Sequence, residues 1–273
     1  AVTVTTTDVG GLTTSQAFTI SVANANEAPS AVALSASSIA ENAAGASVGT
    51  LSTTDVDAGD TASYSLSGTD AASFEISGST LKLKDPTSAD YESQSSYAVT
   101  VTATDSGSLT TSQAFSISVT NVNEAPSAVS LSASSIAENA AGASVGTLST
   151  TDVDSGDTFT YTLSGTDASR FEISGSTLKL KDSTSADYEN QSSYAVTVTS
   201  TDAGGLTTSQ AFSISVTNVN DNDPTITSSA TFSAAENQTA IGTVVATDAD
   251  GDTLSYALSG TDASSLSINA SSG

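Results

Sequence analysis

The chain has no cysteine, histidine, methionine or tryptophan among its 273 residues. Without cysteine there are no disulfide staples and no thiol chemistry. With histidine missing as well, zinc and other borderline metals lose their usual ligands. What remains is oxygen, the ligand set of calcium and magnesium. Basic residues are nearly as scarce, with 5 Lys and Arg against 30 Asp and Glu and a net charge of -25. Such a surface repels nucleic acid and anionic membrane and makes both poor partners. It either repels itself in solution or gathers cations. No apolar run is long enough to span a bilayer as a helix, and no stretch reads as a signal peptide. Serine and threonine are abundant, about a third of the chain. Threonine favours strands and both residues are poor inside helices, so this composition points to strand-rich, extracellular-type domains.

The hexapeptide Asn121-Val122-Asn123-Glu124-Ala125-Pro126 organises the sequence. It occurs 97 residues earlier as Asn24-Ala25-Asn26-Glu27-Ala28-Pro29, and 97 residues later as Asn218-Val219-Asn220-Asp221-Asn222-Asp223-Pro224. Three copies at one period indicate a tandem array. The divisions are 1–29, the C-terminal part of a repeat; 30–126 and 127–223, two full repeats; and 224–273, the N-terminal part of another. Residues 127–223 match 30–126 at 82 of 97 positions, which suggests recent duplication. The chain begins and ends in mid-repeat, as expected of a window on a longer protein.

Period-2 alternation of apolar residues predicts strands throughout, with no helix longer than about a turn. In 1–29 the runs are Val2/Val4 and Phe18/Ile20/Val22 around the turn at Asp8–Gly11. In the first full repeat they are 32–38, 47–53, 62–67, 74–77, 80–84, 97–104 and 114–120. Seven short strands punctuated by Gly, Asn, Asp and Ser predict an all-β, Greek-key sandwich of the immunoglobulin-like type, repeated end to end. Phe74–Leu83 reads as a hairpin turning at 77–79. Phe74, Ile76, Leu81, Leu83, Tyr97, Val99, Val101, Phe115, Ile117 and Val119 are the candidate core. Ala62 becomes Phe159 in the second repeat, an enlargement in or near that core. Lys82/Lys84 and Lys179/Lys181 alternate along a strand as on a solvated edge.

Acidic residues recur at fixed places: Glu41 after the first strand, Asp55 and Asp57 after the second, Asp90 and Glu92 before the sixth, and Asp105 after it. Their counterparts are Glu138, Asp152 and Asp154, Asp187 and Glu189, and Asp202, with Asp248 and Asp250 in 224–273. In a seven-strand sandwich, Glu41, Asp90 and Glu92 fall at the C-terminal pole, and Asp55, Asp57 and Asp105 at the N-terminal pole. Stacked repeats would bring Glu41, Asp90 and Glu92 of one towards Asp152, Asp154 and Asp202 of the next, with Val122, Asn123 and Glu124 between. So much uncompensated carboxylate is unstable without a cation. Val219, Asn220, Asp221 and Asn222 would serve the following junction, and Asn26 and Glu27 the preceding one. Taken alone, an Asp-x-Asp after a strand is ordinary turn chemistry. A glycosidase-like carboxylate pair is disfavoured because the acids recur in every repeat with no tryptophan-lined cleft.

These residues resemble the cadherin repeat, in particular the cadherin-like repeats of large, RTX-type bacterial calcium-dependent surface adhesins. Asn218–Pro224 is similar to the linker DxNDNxP, Asp55-Val56-Asp57, Asp152–Asp154 and Asp248–Asp250 to the motif DxD, and Ala89–Glu92 and Ala186–Glu189 to LDRE. Asp105 and Asp202 match the aspartate before the last strand, and Glu41, Glu138 and Glu236 the glutamate near the first. The resemblance implies Ca2+ at the junctions as the only cofactor, no enzymatic activity, and a cell-surface setting. Two junctions are one residue short and carry glutamate for the linker aspartate, and the leading linker aspartate is Asn in all three. The tryptophan used for strand exchange in adhesive cadherins is missing.

The expected function is a calcium-rigidified spacer or stalk in an extracellular adhesin, touching calcium and its own neighbouring repeats. The alternatives are a subunit of a self-assembling filament or surface layer with homotypic contacts, and a carbohydrate-binding module. The latter would need exposed aromatics, whereas nearly all Tyr and Phe occupy strand positions. Sequons at Asn190, Asn237 and Asn269 read as chance occurrences in a Ser/Thr-rich chain.

Overall fold

The computed structural model describes residues 1–273, which divide into two compact units, Ala1–Val122 and Asn123–Gly273. Every extended element is β, and the only helical elements are 3-10 turns of three residues at Ala71–Ser73, Ala168–Arg170 and Ala263–Ser265. No helix is long and apolar enough to cross a membrane.

In the first unit, strands β1 (Val2–Thr7) and β2 (Thr13–Phe18) form an antiparallel ribbon that is exposed along its whole length. The turn between them is closed by Asp8, whose Oδ1 accepts the Gly10 and Leu12 N–H groups. The alternation expected to continue through Ile20 and Val22 stops at Phe18.

The following sandwich comprises β3 (Ala31–Leu34), β4 (Ser38–Ala40), β5 (Ser47–Thr54), β6 (Ser63–Ser67), β7 (Phe74–Ser77), β8 (Thr80–Leu83), β9 (Ser96–Thr104) and β10 (Thr110–Thr120). One sheet runs β3-β5-β8-β7 and the other β4-β10-β9-β6. The hairpin β7–β8 pairs Phe74 with Leu83 and Ser77 with Thr80, as the sequence pattern predicts.

The expected single strand 32–38 is instead divided between the sheets. Residues 31–34 pair antiparallel with β5, and residues 38–40 pair parallel with β10. The crossing is built at Ser35–Ala36. The Ser35 hydroxyl accepts the Thr50 N–H at 2.8 Å, and β5 bulges between Ser47 and Gly49. A Cβ on Gly49 would stand 2.8 Å from the Ala36 backbone nitrogen, so only glycine lets the two backbones approach this closely. The strand thus turns a corner that alternation alone cannot reveal.

The second unit repeats this plan with β11 (Ala128–Leu131), β12 (Ser135–Ala137), β13 (Ser144–Thr151), β14 (Thr160–Ser164), β15 (Phe171–Ser174), β16 (Thr177–Leu180), β17 (Ser193–Thr201) and β18 (Thr207–Thr217). Its sheets are β11-β13-β16-β15 and β12-β18-β17-β14. Residues 224–273 add only the two-residue strands β19 (Thr225–Ile226) and β20 (Ala246–Thr247) and leave Phe232, Leu258 and Leu266 exposed.

Of the expected core, Phe74, Leu81, Leu83, Val99, Val101, Ile117 and Val119 are buried. Ile76, Tyr97 and Phe115 are half-buried against them. Val48 and Leu51 join the core from β5, Ala89 from a loop, and Ile39 enters it through the corner strand. Phe159 is half-buried, so the enlargement at this position stands at the core's margin. A second exchange goes deeper. Ala103 is replaced by Ser200, which is fully buried and hydrogen-bonds Thr150 at 2.8 Å, so its hydroxyl is satisfied.

The lysine strand is not an edge. β8 lies between β5 and β7, and Lys82 bridges Glu75 at 3.4 Å and Asp85 at 3.0 Å while Lys84 donates to the Ala72 carbonyl. Both lysines therefore tie the sheet to its turns.

Truncating Leu178→Ala should destabilise the second unit by roughly 2–5 kcal/mol through transfer and cavity terms. The exposed Leu206→Ala should stay within about 0.5 kcal/mol of wild type. Denaturant unfolding followed by tyrosine fluorescence distinguishes the two.

Candidate metal centre

At the C-terminal pole of the first sandwich, Glu41 leaves β4 and turns inward, only 3% exposed. Its Oε2 accepts the Tyr91 N–H and its Oε1 the Val122 N–H, both at 2.7 Å. A carboxylate this buried needs such donors to remain charged. In return it ties the Asp90-Tyr91-Glu92 loop to the start of the linker. Ala89, fully buried, anchors the same loop and accepts the Asn42 N–H. Asp90 folds back on Ser93 N–H at 2.9 Å. Glu41, Asp90 and Glu92 each bring a carboxylate oxygen within 4.8 Å of the others. In the second unit Glu138, 3% exposed, holds Tyr188 N–H at 2.8 Å and Val219 N–H at 2.6 Å, and Asp187 caps Asn190 N–H. Val122 and Val219, candidates through their carbonyls, are thus positioned by their N–H groups.

At the N-terminal pole the linker is captured by the Asp-x-Asp loop. Glu27 N–H donates to Asp57 Oδ2 at 2.8 Å, and the Asn24 amide donates to its Oδ1. The Asn26 amide donates to Asp105 Oδ2 at 3.0 Å. The second unit shows the same bonds from Glu124 N–H to Asp154 and from the Asn123 amide to Asp202. Asp57 and Asp154 in turn donate their N–H groups to Asp55 and Asp152. A glycine makes room for each asparagine: a Cβ on Gly107 would meet the Asn26 amide, and one on Gly204 the Asn123 amide, within hard-sphere distance.

The longer linker differs in register. Asn222 N–H, at 2.8 Å, takes the place on Asp250 that Glu27 and Glu124 occupy on their aspartates. The Asp221 carboxylate accepts the Asn139 amide at 2.6 Å. The Asp221 N–H reaches the same Asp250 Oδ2 at 3.2 Å, and the Glu124 carboxylate groups with Asp154 as the Asp221 carboxylate does with Asp250, so glutamate takes the backbone place of Asn222 while its carboxylate keeps that of the linker aspartate. Asn220 donates to Asp252, and Asp250 N–H to Asp248 at 2.9 Å. The result is that Glu138, Glu189, Asp221 and Asp250 place carboxylate oxygens within 4.8 Å of one another. Two further groups were not anticipated as such, because each includes an aspartate outside the recognised motifs. They are Asp55 with Asp60 and Asp105, and Asp152 with Asp157 and Asp202. The available signal was the Gly-Asp that closes each Asp-x-Asp loop at a fixed spacing.

The acids respond to this crowding. Burial pushes the Glu189 carboxyl up, and the nearby Asp250 and Glu138 carboxylates push the same way. Burial opposes ionisation of Asp250 as well, but the Asn222 N–H and amide and the Asp221 N–H outweigh it and hold Asp250 low. For Asp202 burial is again outweighed, by the Asn123 amide and the backbone N–H groups of Leu206, Gly205 and Gly204. Asp57 is lowered by the Glu27 N–H and the Asn24 amide. Asp157 has no such donors; burial first, and then the charges of Asp152, Asp154 and Asp202, drive it up.

A family model described as the cadherin domain matches residues 35–120 and 132–217. The chain belongs to the cadherin family. Human protocadherin Fat 1 is 32% identical to it over 170 residues, 59% of this chain and 4% of that protein. The extracellular domain of protocadherin GammaB4 superposes with a TM-score of 0.69 at 23% identity, covering 99% of this chain and 52% of that one. A protocadherin gammaB7 EC3-6 cis-dimer structure gives 0.66 at 24%, covering 99% and 74%. The chain thus spans a small part of the curated relative and about half of the first structural one. Cadherin domains are extracellular adhesion modules and not enzymes.

The family implies calcium, and the donor set fits it. The poles offer only oxygen. The Oδ2 atoms of Asp55, Asp60, Asp152 and Asp157 and the Oδ1 of Asn218 are buried without a hydrogen-bond donor. The chain's ion pairs join Lys82 and Lys179 to Glu75, Asp85, Glu172 and Asp182, none of them polar-end acids.

Glu138→Ala would leave the Tyr188 and Val219 N–H groups without their acceptor, at a cost of roughly 2–4 kcal/mol, read as a lowered unfolding midpoint. For Asp157, a folded-state pKa above the unfolded one favours the native state at low pH and opposes it once the carboxyl ionises. In chelator, Asp157→Asn should therefore be more stable than wild type at pH 7. The advantage should vanish as pH falls below the carboxylate range, in paired melts across pH 3–7.

Proposed function

We propose that this chain is a run of calcium-holding cadherin repeats, 30–126 and 127–223 complete with parts at 1–29 and 224–273, serving as a spacer in a large extracellular adhesin. The observation that carries this reading is the group Glu138, Glu189, Asp221 and Asp250. Four separate stretches of sequence deliver four carboxylates to one place, with no lysine or arginine paired to them. Bound calcium supplies positive charge and about six to eight oxygen-coordination positions there.

The rest of the work falls to the chain. Glu138 orients the Tyr188 loop and the linker through their N–H groups. Asp187 and Glu189 present that loop's carboxylates, Asp221 and Asn222 seat the linker on Asp250, and Asp248 holds the Asp250 N–H. Asn220 and the Val219 carbonyl complete the proposed ligands. Glu41, Asp90, Glu92 and Val122 in the first unit, and Asn123, Glu124, Asp152, Asp154 and Asp202 in the second, are assigned the same role. So are Asn26, Glu27, Asp55, Asp57 and Asp105.

In this reading, ion binding is linked to the ordered state of the linker. For a site with dissociation constant near ~0.1 mM, as in extracellular modules, ~100-fold excess calcium contributes about 2.7 kcal/mol. The resemblance of the linker and of Ala186-Asp187-Tyr188-Glu189 to the repeats of bacterial surface adhesins supports that cellular setting. A second reading, homotypic lateral contact within a filament, draws on the near-identity of the two repeats and on the cis-dimer formed by protocadherin gammaB7.

Small-angle scattering of the full chain against calcium, with magnesium as control, tests both. A spacer gives decreasing flexibility at constant mass between sub-millimolar and millimolar calcium. A filament subunit gives rising mass, and indifference to calcium overturns the ligand assignment.

A further inference from the structure

We propose that the exposed apolar ribbon at residues 1–22 of one copy of this chain docks into the unfilled sheet at 224–273 of a second copy, joining the two head to tail. The inference goes beyond the calcium reading and does not depend on it. The donor is described by the chain itself. Residues 1–22 are identical to 195–216 at 19 of 22 positions, and β1–β2 already holds the register of β17–β18. Val2 pairs with Phe18 as Val196 pairs with Phe212, and Thr7 with Thr13 as Thr201 with Thr207. What differs is cover. Val196, Val198, Ile214 and Val216 are buried, whereas their counterparts Val2, Val4, Ile20 and Val22 are exposed, Ile20 at 71% against 0% for Ile214.

The acceptor lacks what the donor carries. In the complete second repeat, β18 and β17 lie between β12 and β14. There Val145 and Phe171 share one buried cluster with Val196, Val198, Ile214 and Val216. Aligning the recurring Ala235-Glu236-Asn237, Asp248-Ala249-Asp250 and Ser259-Gly260-Thr261-Asp262 makes 233–235 the counterpart of β12 and 255–259 that of β14. Neither stretch is a strand in 224–273. Ile241 and Leu266, which correspond to Val145 and Phe171, are exposed, Leu266 at 50% against 2% for Phe171. With Phe232, Leu258 and Ile268 they line a hollow of about 580 Å³. Apolar surface left open on both pieces marks a contact, and a ribbon entering between two unpaired stretches is strand addition to a sheet.

The ribbon is the occupant that fits, because a ribbon of almost the same sequence, in the same register, covers this place in the complete repeat. Charge agrees. In a chain of net charge -25, residues 1–22 carry one charged side chain, Asp8 at the turn, and the lining of the hollow carries none. A donor at one end and an acceptor at the other make a heterologous contact, which adds copies in series. Neither piece supplies a counterpart of β16, so the joint is a reversible one.

The experiment is sedimentation velocity with light-scattering mass on the full chain, in chelator and in calcium, from roughly 1 μM to 1 mM, the span between tight and weak association. Wild type should grow with concentration from 26.9 kDa to two or more chains. The variants Ile20→Asp and Leu266→Asp each place a charge where the joint is dry and should weaken association by at least about 100-fold. Both positions are exposed in the free chain, so circular dichroism and melting should match wild type. Mixed in equal amounts, the two variants should form a dimer that grows no further, since each keeps the half that the other has lost. A wild-type mass of one chain at every concentration overturns the proposal. So does association that both variants retain, which would assign the contact to another face. Calcium binding measured on the same samples stands or falls separately.

Discussion

Repulsion between carboxylates held closer than like charges tolerate is the constraint to which this molecule is built. Four acids within 4.8 Å around Asp250, and three around each of Asp105 and Asp202, cannot all be ionised at low cost in a partly desolvated place. The chain meets the difficulty unevenly. Asp57, Asp202 and Asp250 receive backbone and amide N–H groups and stay low. Glu189 and Asp157 are left to absorb the penalty, and their carboxyls are pushed up. Without a cation the poles are thus divided into stabilised anions and strained ones. A divalent ion would relieve the strained set, which is why the architecture and the proposed ligand belong together.

The sandwich lets so strained an arrangement persist. Each sheet ends where the acids begin, and the packed interior around Leu81 and Leu83, or Leu178 and Leu180, fixes the strand ends from which the loops depart. Glu41 and Glu138 are the points where core and pole meet. They are buried like core residues, yet each spends both carboxylate oxygens on backbone N–H groups, one in the acidic loop and one in the linker. Linker position is therefore coupled to loop position through one side chain. A cation held by the loop would act on the linker along that path.

Much of the fold was legible in the sequence because alternation is a local property. Phe74 through Leu83 announce a hairpin, and Val99 and Val101 a buried face, without reference to anything distant. The sheet switch at Ser35–Ala36 was not legible, since alternating residues continue across it. The cause is the missing side chain of Gly49, fourteen residues away from Ser35. Lys82 misled for a similar reason: alternation shows that a residue faces outward but not whether its strand has neighbours on both sides.

The same division holds for the site. From sequence alone, the lack of histidine and cysteine, the acidic excess and the repeated linker determined a repeat period, the candidate acids and that only oxygen is on offer to a cation. Each follows from residue chemistry and spacing, which need no coordinates. Only the tertiary structure decided which acids share a place and which are answered by donors. It also decided that Glu124 takes the backbone place of Asn222 while its carboxylate keeps that of Asp221. These are distances between residues some thirty to eighty positions apart. They are set by strand pairing and by one inserted linker residue, so the local pattern carries no trace of them.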